Sequence, residues 1–223
     1  MSKYDYSTIQ KAIDFANEAH RDVNRKGVAI PYVTHVMEVY KILFNMGVRC
    51  PNMLAAAILH DIIEDTKYTY EDLECDFNRE VADYVQECSR IVDGEETLQV
   101  KYDFLQTFKD KSLGSVLIKI ADRYANTMDY YKSGREVYAA WYALQAYPLY
   151  VRYYDAKNKK DIFNIHAVYV TEYIDFLEGL ISFRYERTPM EMYKEPRTTQ
   201  NILFNKPDEN VTLLESYEDY RHK

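Results

Sequence analysis

Apolar residues recur at helical spacing along most of this chain. In STIQKAIDFANEAH, Ile9, Ala12, Ile13, Ala16 and Ala19 fall on one stripe, which predicts an amphipathic helix. VTHVMEVYKILFNMG predicts a second, with Val36, Val39, Tyr40 and Leu43 inward and Gly47 as its stop. MLAAAILHDIIED reads as a third continuous helix, apolar nearly all round, with Asn52 as its cap. Thr69 and Asp72 cap a fourth, YEDLECDFNREVADYVQECSRI, with a break near Asn78. VDGEETLQVK reads as a loop. LGSVLIKIADRYANTMDYY opens as a strand-like apolar run and continues as a helix. REVYAAWYALQAYPLYVRYY follows with a kink at Pro148, and IFNIHAVYVTEYIDFLEGLISF closes the series. From about Arg184 the periodicity fails, and Pro189, Pro196 and Pro207 recur among charges. No segment reads convincingly as a strand. The pattern predicts an all-α domain over residues 1–185 and a polar tail, extended or partly disordered, over 186–223.

Composition narrows the partners. Hydrophobic residues make up 47% of the chain, enough for a sizeable core. With 28 basic and 36 acidic residues the net charge is −8, which argues against general affinity for nucleic acid polymers or anionic membranes. An anionic substrate would need a metal or a local basic cluster. No run approaches the roughly 18 apolar residues of a membrane span, and MSKYDYSTIQ lacks the apolar core of a signal peptide. Cys50, Cys75 and Cys88 show no zinc-type pairing, so the expectation is free thiols in a reducing cytoplasm.

The third helix carries the first candidate chemistry. In HDIIED, His60 and Glu64 are four apart, Asp61 and Asp65 four, and Asp61 and Glu64 three. On a continuous helix these groups would share little more than one turn. They are either a solvated acidic helix end or a site for a cation. The end of a helix carries negative dipole and disfavours acids, and burying carboxylates without partners is costly. Two distant residues favour the cation: His35 at the start of one apolar helix, and Asp122 directly after the apolar run of another. Two imidazoles and two carboxylates suit a divalent ion, Mn2+ or Fe2+, with Zn2+ and Mg2+ compatible.

These residues sit within a longer pattern. FANEAH, RKGVAIPYVTH, AAAILHDIIEDT, YEDLECDFNREVADYV and LIKIADRYAN occur in one order between about Ile9 and Arg152. In this the chain resembles the HD-domain phosphohydrolases, and among them the Rel/SpoT-type (p)ppGpp hydrolases and the small alarmone hydrolases. The resemblance implies a compact helical bundle whose metal is held by His35, His60, Asp61 and Asp122. Glu64 and Asp65 match the family's acidic pair around the attacking water. Arg25 and Lys26 match its basic pair near base and phosphates, Asn126 its ribose-facing residue, and Lys101 a phosphate-contacting lysine. The implied reaction removes the 3′-pyrophosphate of a guanosine alarmone, with Mn2+ the expected metal. Other 3′- or 2′-phosphorylated nucleotides, such as an adenosine alarmone or NADPH, and a non-catalytic nucleotide-binding module are the alternatives; self-association into a homo-oligomer is compatible with each. The chain departs from the family after Asn126, where Thr127, Met128 and Asp129 replace basic and hydroxyl residues. Asp129 would repel a phosphate if it pointed into the site.

Overall fold

The computed structural model describes residues 7–25, 28–92, 94 and 97–158. The helix predicted over IFNIHAVYVTEYIDFLEGLISF and the polar tail lie outside them. The order of elements is α1 (Ser7–Ala19), α2 (Val33–Asn45), α3 (Pro51–Leu59), α4 (Ile62–Asp65), α5 (Tyr70–Asp76), α6 (Arg79–Cys88), α7 (Leu98–Gln106), a 3-10 turn η1 (Thr107–Asp110), α8 (Leu113–Lys132), α9 (Glu136–Gln145) and α10 (Tyr147–Asn158). Among the described residues there is no β-strand, only a bridge between Asn24 and Pro31 that closes the loop after α1. The fold is all-α, as the periodicity predicts.

Two helices organise the bundle. Helix α3 is apolar on every side, and Leu54, Ala55, Ala56, Ala57, Ile58 and Leu59 are all fully buried. A helix without a polar face belongs inside, and α1, α2, α6 and α8 surround it. Helix α8 is the second axis, packing on α2, α6, α9 and α10. That burial explains the strand-like look of its first half: residues 115–123 are buried without interruption, so no polar stripe betrays the helix. Ser112 caps it by accepting from Ser115 N. Gly114 lets α6 come close, since a Cβ there would run into the ring of Tyr84.

Local expectations hold at several helix ends. Thr69 and Asp72 form a capping box on α5. Asn78 breaks the predicted fourth helix and caps α6 by accepting from Val81 N. Gly47, at φ +94°, follows the end of α2, a left-handed conformation that glycine adopts without strain. Pro148 falls in the second position of α10, and the chain breaks at Ala146 just before it.

Three expectations need correction. Asn52 is not the cap of α3; Cys50 occupies that place and Pro51 starts the helix, where a missing N–H costs nothing. Asn52 instead donates to Glu80 and accepts from Asn78, tying α3 to α6. The end of the predicted loop VDGEETLQVK is helical from Leu98, capped by Thr97, which accepts from Val100 N. The third helix is not continuous. It stops at Leu59, and a new short helix starts at Ile62.

Candidate metal centre and active site

The break between α3 and α4 builds the centre. His60 Nδ1 lies 2.9 Å from Ala57 O, the carbonyl that an uninterrupted helix would pair with the N–H of Asp61. Asp61 then leaves helical geometry, at φ −102° and ψ 1°. The turn swings the side chains of two consecutive residues, His60 and Asp61, toward the N-terminal part of α2 and the middle of α8. There His35 and Asp122 meet them. All four are buried. His35 Nε2 is 3.2 Å from Asp122 Oδ1 and 3.9 Å from Asp61 Oδ2, and His60 Nε2 is 2.9 Å from Asp61 Oδ2 and 3.7 Å from Asp122 Oδ1.

These residues fit a divalent cation. One ligand atom each from His35, His60 and Asp122 lies within 4.8 Å of the others, and donors about 2.0–2.2 Å from a shared ion stand at about such separations. His60 Nε2 is fully buried and has no hydrogen bond of acceptable geometry, although it faces two carboxylates. Its Nδ1 is held on a backbone carbonyl, which directs the other nitrogen into the centre. Arg25 Nη2 is 3.5 Å from His35 Nδ1, at the limit of a hydrogen bond.

Charges around the centre are balanced by neighbours. Burial alone would lower the pKa of His60, but Asp61 and Asp122 outweigh it and push the imidazole up to about 10. A cation at the centre would compete with that proton for His60. Burial works against an ionised Asp61, yet His60 and then Lys119 hold its carboxyl well below the usual range. Asp122 is held down likewise, against burial, first by Lys119 and then by the two histidines. Lys119 is itself buried, with Nζ 3.0 Å from Asp122 Oδ2, the oxygen turned away from His35. Tyr32 donates its hydroxyl to Asp61 Oδ2, and burial followed by that carboxylate raises its pKa far above the phenol range.

The acidic pair of α4 splits in two. Glu64 is half-buried, and both its oxygens are taken by one residue: Arg90 N donates to Oε2 (3.0 Å) and Arg90 Nη2 to Oε1 (2.8 Å). Asp65 lies at the solvent edge. Burial, then Asp61 and Glu64, push its carboxyl up to about 6.

Of the residues expected to meet a substrate, Arg25 and Asn126 are at the centre. Asn126 donates to Asp122 Oδ1 (2.6 Å), and Arg25 donates to Asn126 Oδ1 (3.3 Å). Lys26 lies outside the described residues. Lys101 is half-buried on α7, a helix that packs chiefly on η1 and α10. Lys119 and Tyr32 fall within the quoted motifs but received no role from the sequence, and Arg90 was not singled out. Lys119 and Asp122 are three apart, a spacing that would have flagged the pair had the surrounding run not read as apolar. Arg90 follows the last turn of α6 and carries no periodic signal. Arg123 turns away, its guanidinium 4.0 Å above the Tyr142 ring. His20 is buried with its ring 4.7 Å from that of Tyr32, and burial lowers its pKa, consistent with a packing residue.

Comparison with known proteins places this geometry. Residues 12–147 match the family model described as HD domain. The chain is 33% identical over 129 residues to the guanosine-3′,5′-bis(diphosphate) 3′-pyrophosphohydrolase MESH1 of Xenopus tropicalis, covering 56% of this chain and 70% of that one. It is 34% identical over 144 residues to a GTP pyrophosphokinase of Streptomyces coelicolor, and 33% over 122 residues to a guanosine-3′,5′-bis(diphosphate) 3′-pyrophosphohydrolase of Aquifex aeolicus. Those matches cover 62% and 53% of this chain but only 17% of each long bacterial relative. A solved structure described as a metazoan orthologue of SpoT that hydrolyses ppGpp superimposes with a TM-score of 0.62 at 25% identity, over 80% of this chain and 99% of that one.

Proposed function

The chain belongs to the HD-domain family, and from that premise we propose that it is a metal-dependent hydrolase removing the 3′-pyrophosphate of guanosine alarmones. Two features support the reading: a relative named for this activity matches 56% of the chain and a solved structure described as hydrolysing ppGpp matches 80% of it, and imidazole, carboxylate and guanidinium groups stand together at the described centre. The observation that carries it is the convergence of ligand atoms of His35, His60 and Asp122 within 4.8 Å of one another, with Asp61 beside them and the buried His60 Nε2 making no hydrogen bond of acceptable geometry.

In this reading His35, His60, Asp61 and Asp122 hold Mn2+, a divalent ion compatible with mixed nitrogen and oxygen donors, as Fe2+, Zn2+ and Mg2+ are. The ion, when bound, supplies positive charge to the leaving phosphates and acidity to a water. Glu64, fixed at both oxygens by Arg90, orients the attacking water. Asp65, with a carboxyl that titrates not far below neutrality, takes its proton as the bond between phosphorus and the 3′-oxygen breaks, and that proton balances the 3′-hydroxyl that forms. Lys26 and Lys101 offset substrate charge, Arg25 holds Asn126 at the substrate side of the centre, and Asn126 bridges Asp122 to the nucleoside. Lys119 and Tyr32 keep the two carboxylate ligands ionised and aimed.

The test is turnover. Purified protein with Mn2+ and ppGpp should release pyrophosphate, and Asp61→Ala, verified as folded by circular dichroism, should abolish release. Nucleotide binding without pyrophosphate release in Mn2+, Fe2+, Zn2+ and Mg2+ would replace the hydrolase reading with that of a binding module.

A further inference from the structure

The second turn beyond the metal centre on α8 carries an acid whose place in the site has a use. Asp122, Asn126 and Asp129 stand at intervals of four and three, so they share one face of α8. At about 1.5 Å per residue, Asp129 lies about 10 Å along the helix from Asp122. Arg25 runs beside this stripe. Its Nη2 donates to Asn126 and its Nη1 pairs with Asp129 Oδ2. Exposure rises along the same line: the side chains of Asp122, Arg25 and Asp129 are 7%, 17% and 37% exposed. The stripe is thus a ramp from the buried centre to solvent, lined by an amide, a guanidinium and a carboxylate.

An uncompensated acid on this ramp would oppose a polyanionic substrate. Arg25 removes that objection, since it neutralises Asp129 locally and fixes its direction. A carboxylate has about four lone-pair sites, so Asp129 paired with Arg25 still accepts from a ligand. With a scissile phosphate at the centre, the outer end of the ramp is where the nucleoside base would lie. Guanine offers two adjacent donors, N1–H and the N2 amine, to a carboxylate. Adenine offers an unprotonated N1, which a carboxylate repels, and one amine.

Resting on the guanosine reading above, we infer that Asp129 is the base-selecting residue of this site: paired with Arg25, its carboxylate accepts from the N1–H and N2 amine of guanine and disfavours adenine. The departure from the family pattern at this position is then a specificity device of this chain, and Asp129 points into the site without meeting the phosphates.

The experiment measures kcat/KM with Mn2+ for the 3′-pyrophosphorylated forms of guanosine, inosine and adenosine, on the full chain and on its Asp129→Ala and Asp129→Asn variants. Equilibrium binding of the same three nucleotides to metal-loaded protein runs alongside. Wild type should favour guanosine over adenosine, with inosine, which keeps N1–H and lacks the amine, in between. Asp129→Ala should shrink the guanosine-to-adenosine ratio roughly 10- to 100-fold, the discrimination of one bidentate contact to a base. Asp129→Asn, whose amide both donates and accepts, should raise the adenosine form relative to guanosine. The inference is overturned if both variants lose rate equally with all three bases, or if wild type shows no guanosine preference. Selective binding of guanosine that Asp129→Ala erases, without turnover by wild type, would sustain the inference while removing the hydrolase reading. Turnover with unaltered base ratios would do the reverse.

Discussion

Lys119 offers the sharpest test of how the centre balances its charge. Its ammonium is buried 3.0 Å from Asp122 Oδ2. At an effective dielectric constant of about 20, unit charges at that separation attract by about 5 kcal/mol. Lys119→Met keeps most of the stem and removes the charge, leaving Asp122 beside Asp61 with one cation fewer. Breaking a buried pair from one side costs about 3–5 kcal/mol, which for a domain of this size lowers Tm by roughly 6 to 20 °C. That loss belongs to the metal-free protein. A divalent ion among the same carboxylates supplies the missing charge, so the difference between variant and wild type should shrink by more than half at saturating Mn2+. Linkage makes the effect reciprocal: if about 2 kcal/mol of the penalty disappears on binding, the variant holds Mn2+ about 30-fold more tightly than wild type. Thermal melts in chelator and in Mn2+, with calorimetric titration of the ion, measure both sides. Equal Tm losses in the two conditions, or weaker ion binding by the variant, would show that Lys119 acts through packing or through the orientation of Asp122, and the charge argument would be wrong.

Two further outcomes follow from the split acidic pair. Arg90→Ala takes the guanidinium from Glu64 Oε1 while the backbone N–H still holds Oε2, and should lower kcat about 10-fold, with KM changed only a few-fold; a rise in KM at constant kcat would instead assign Arg90 to substrate binding. Asp65, held up at about 6 by burial, Asp61 and Glu64, binds more protons folded than unfolded between about pH 4 and 6. The metal-free protein should therefore lose stability as pH rises through that window. Asp65→Asn should flatten this slope in chelator while sharply reducing turnover in Mn2+, and an undiminished slope would place the repulsion elsewhere.

Much of this was legible in the chain, for reasons that differ by element. Helices α1, α2 and α6 are amphipathic, and their stripes are the faces they bury. The four proposed metal ligands were legible because histidine and aspartate at the ends of apolar runs have few bland explanations when they recur. The break after Leu59 was not, because it depends on His60 competing for the carbonyl of Ala57, and any helical histidine could leave that carbonyl alone. The cap of α3 was misplaced because asparagine is the commoner cap, whereas Pro51 settled the start through its fixed φ. Lys119 was hidden by the apolar run that surrounds it, and Arg90 by its position beyond a helix end. The Arg25–Asp129 pair joins a loop after α1 to α8 and leaves no trace in local spacing.

The broken third helix has a consequence for how the protein would respond to its ion. Residues 60 and 61 belong to the proposed cation site, and Glu64 and Asp65 follow on the short α4, so one six-residue segment spans both proposed roles. On the proposed reading, ionic radius would be coupled through this segment to the placement of the hydrolytic water, with Arg90 holding Glu64 against the shift. Exchange of one ion for another would then alter the speed of the enzyme far more than the occupancy of its centre.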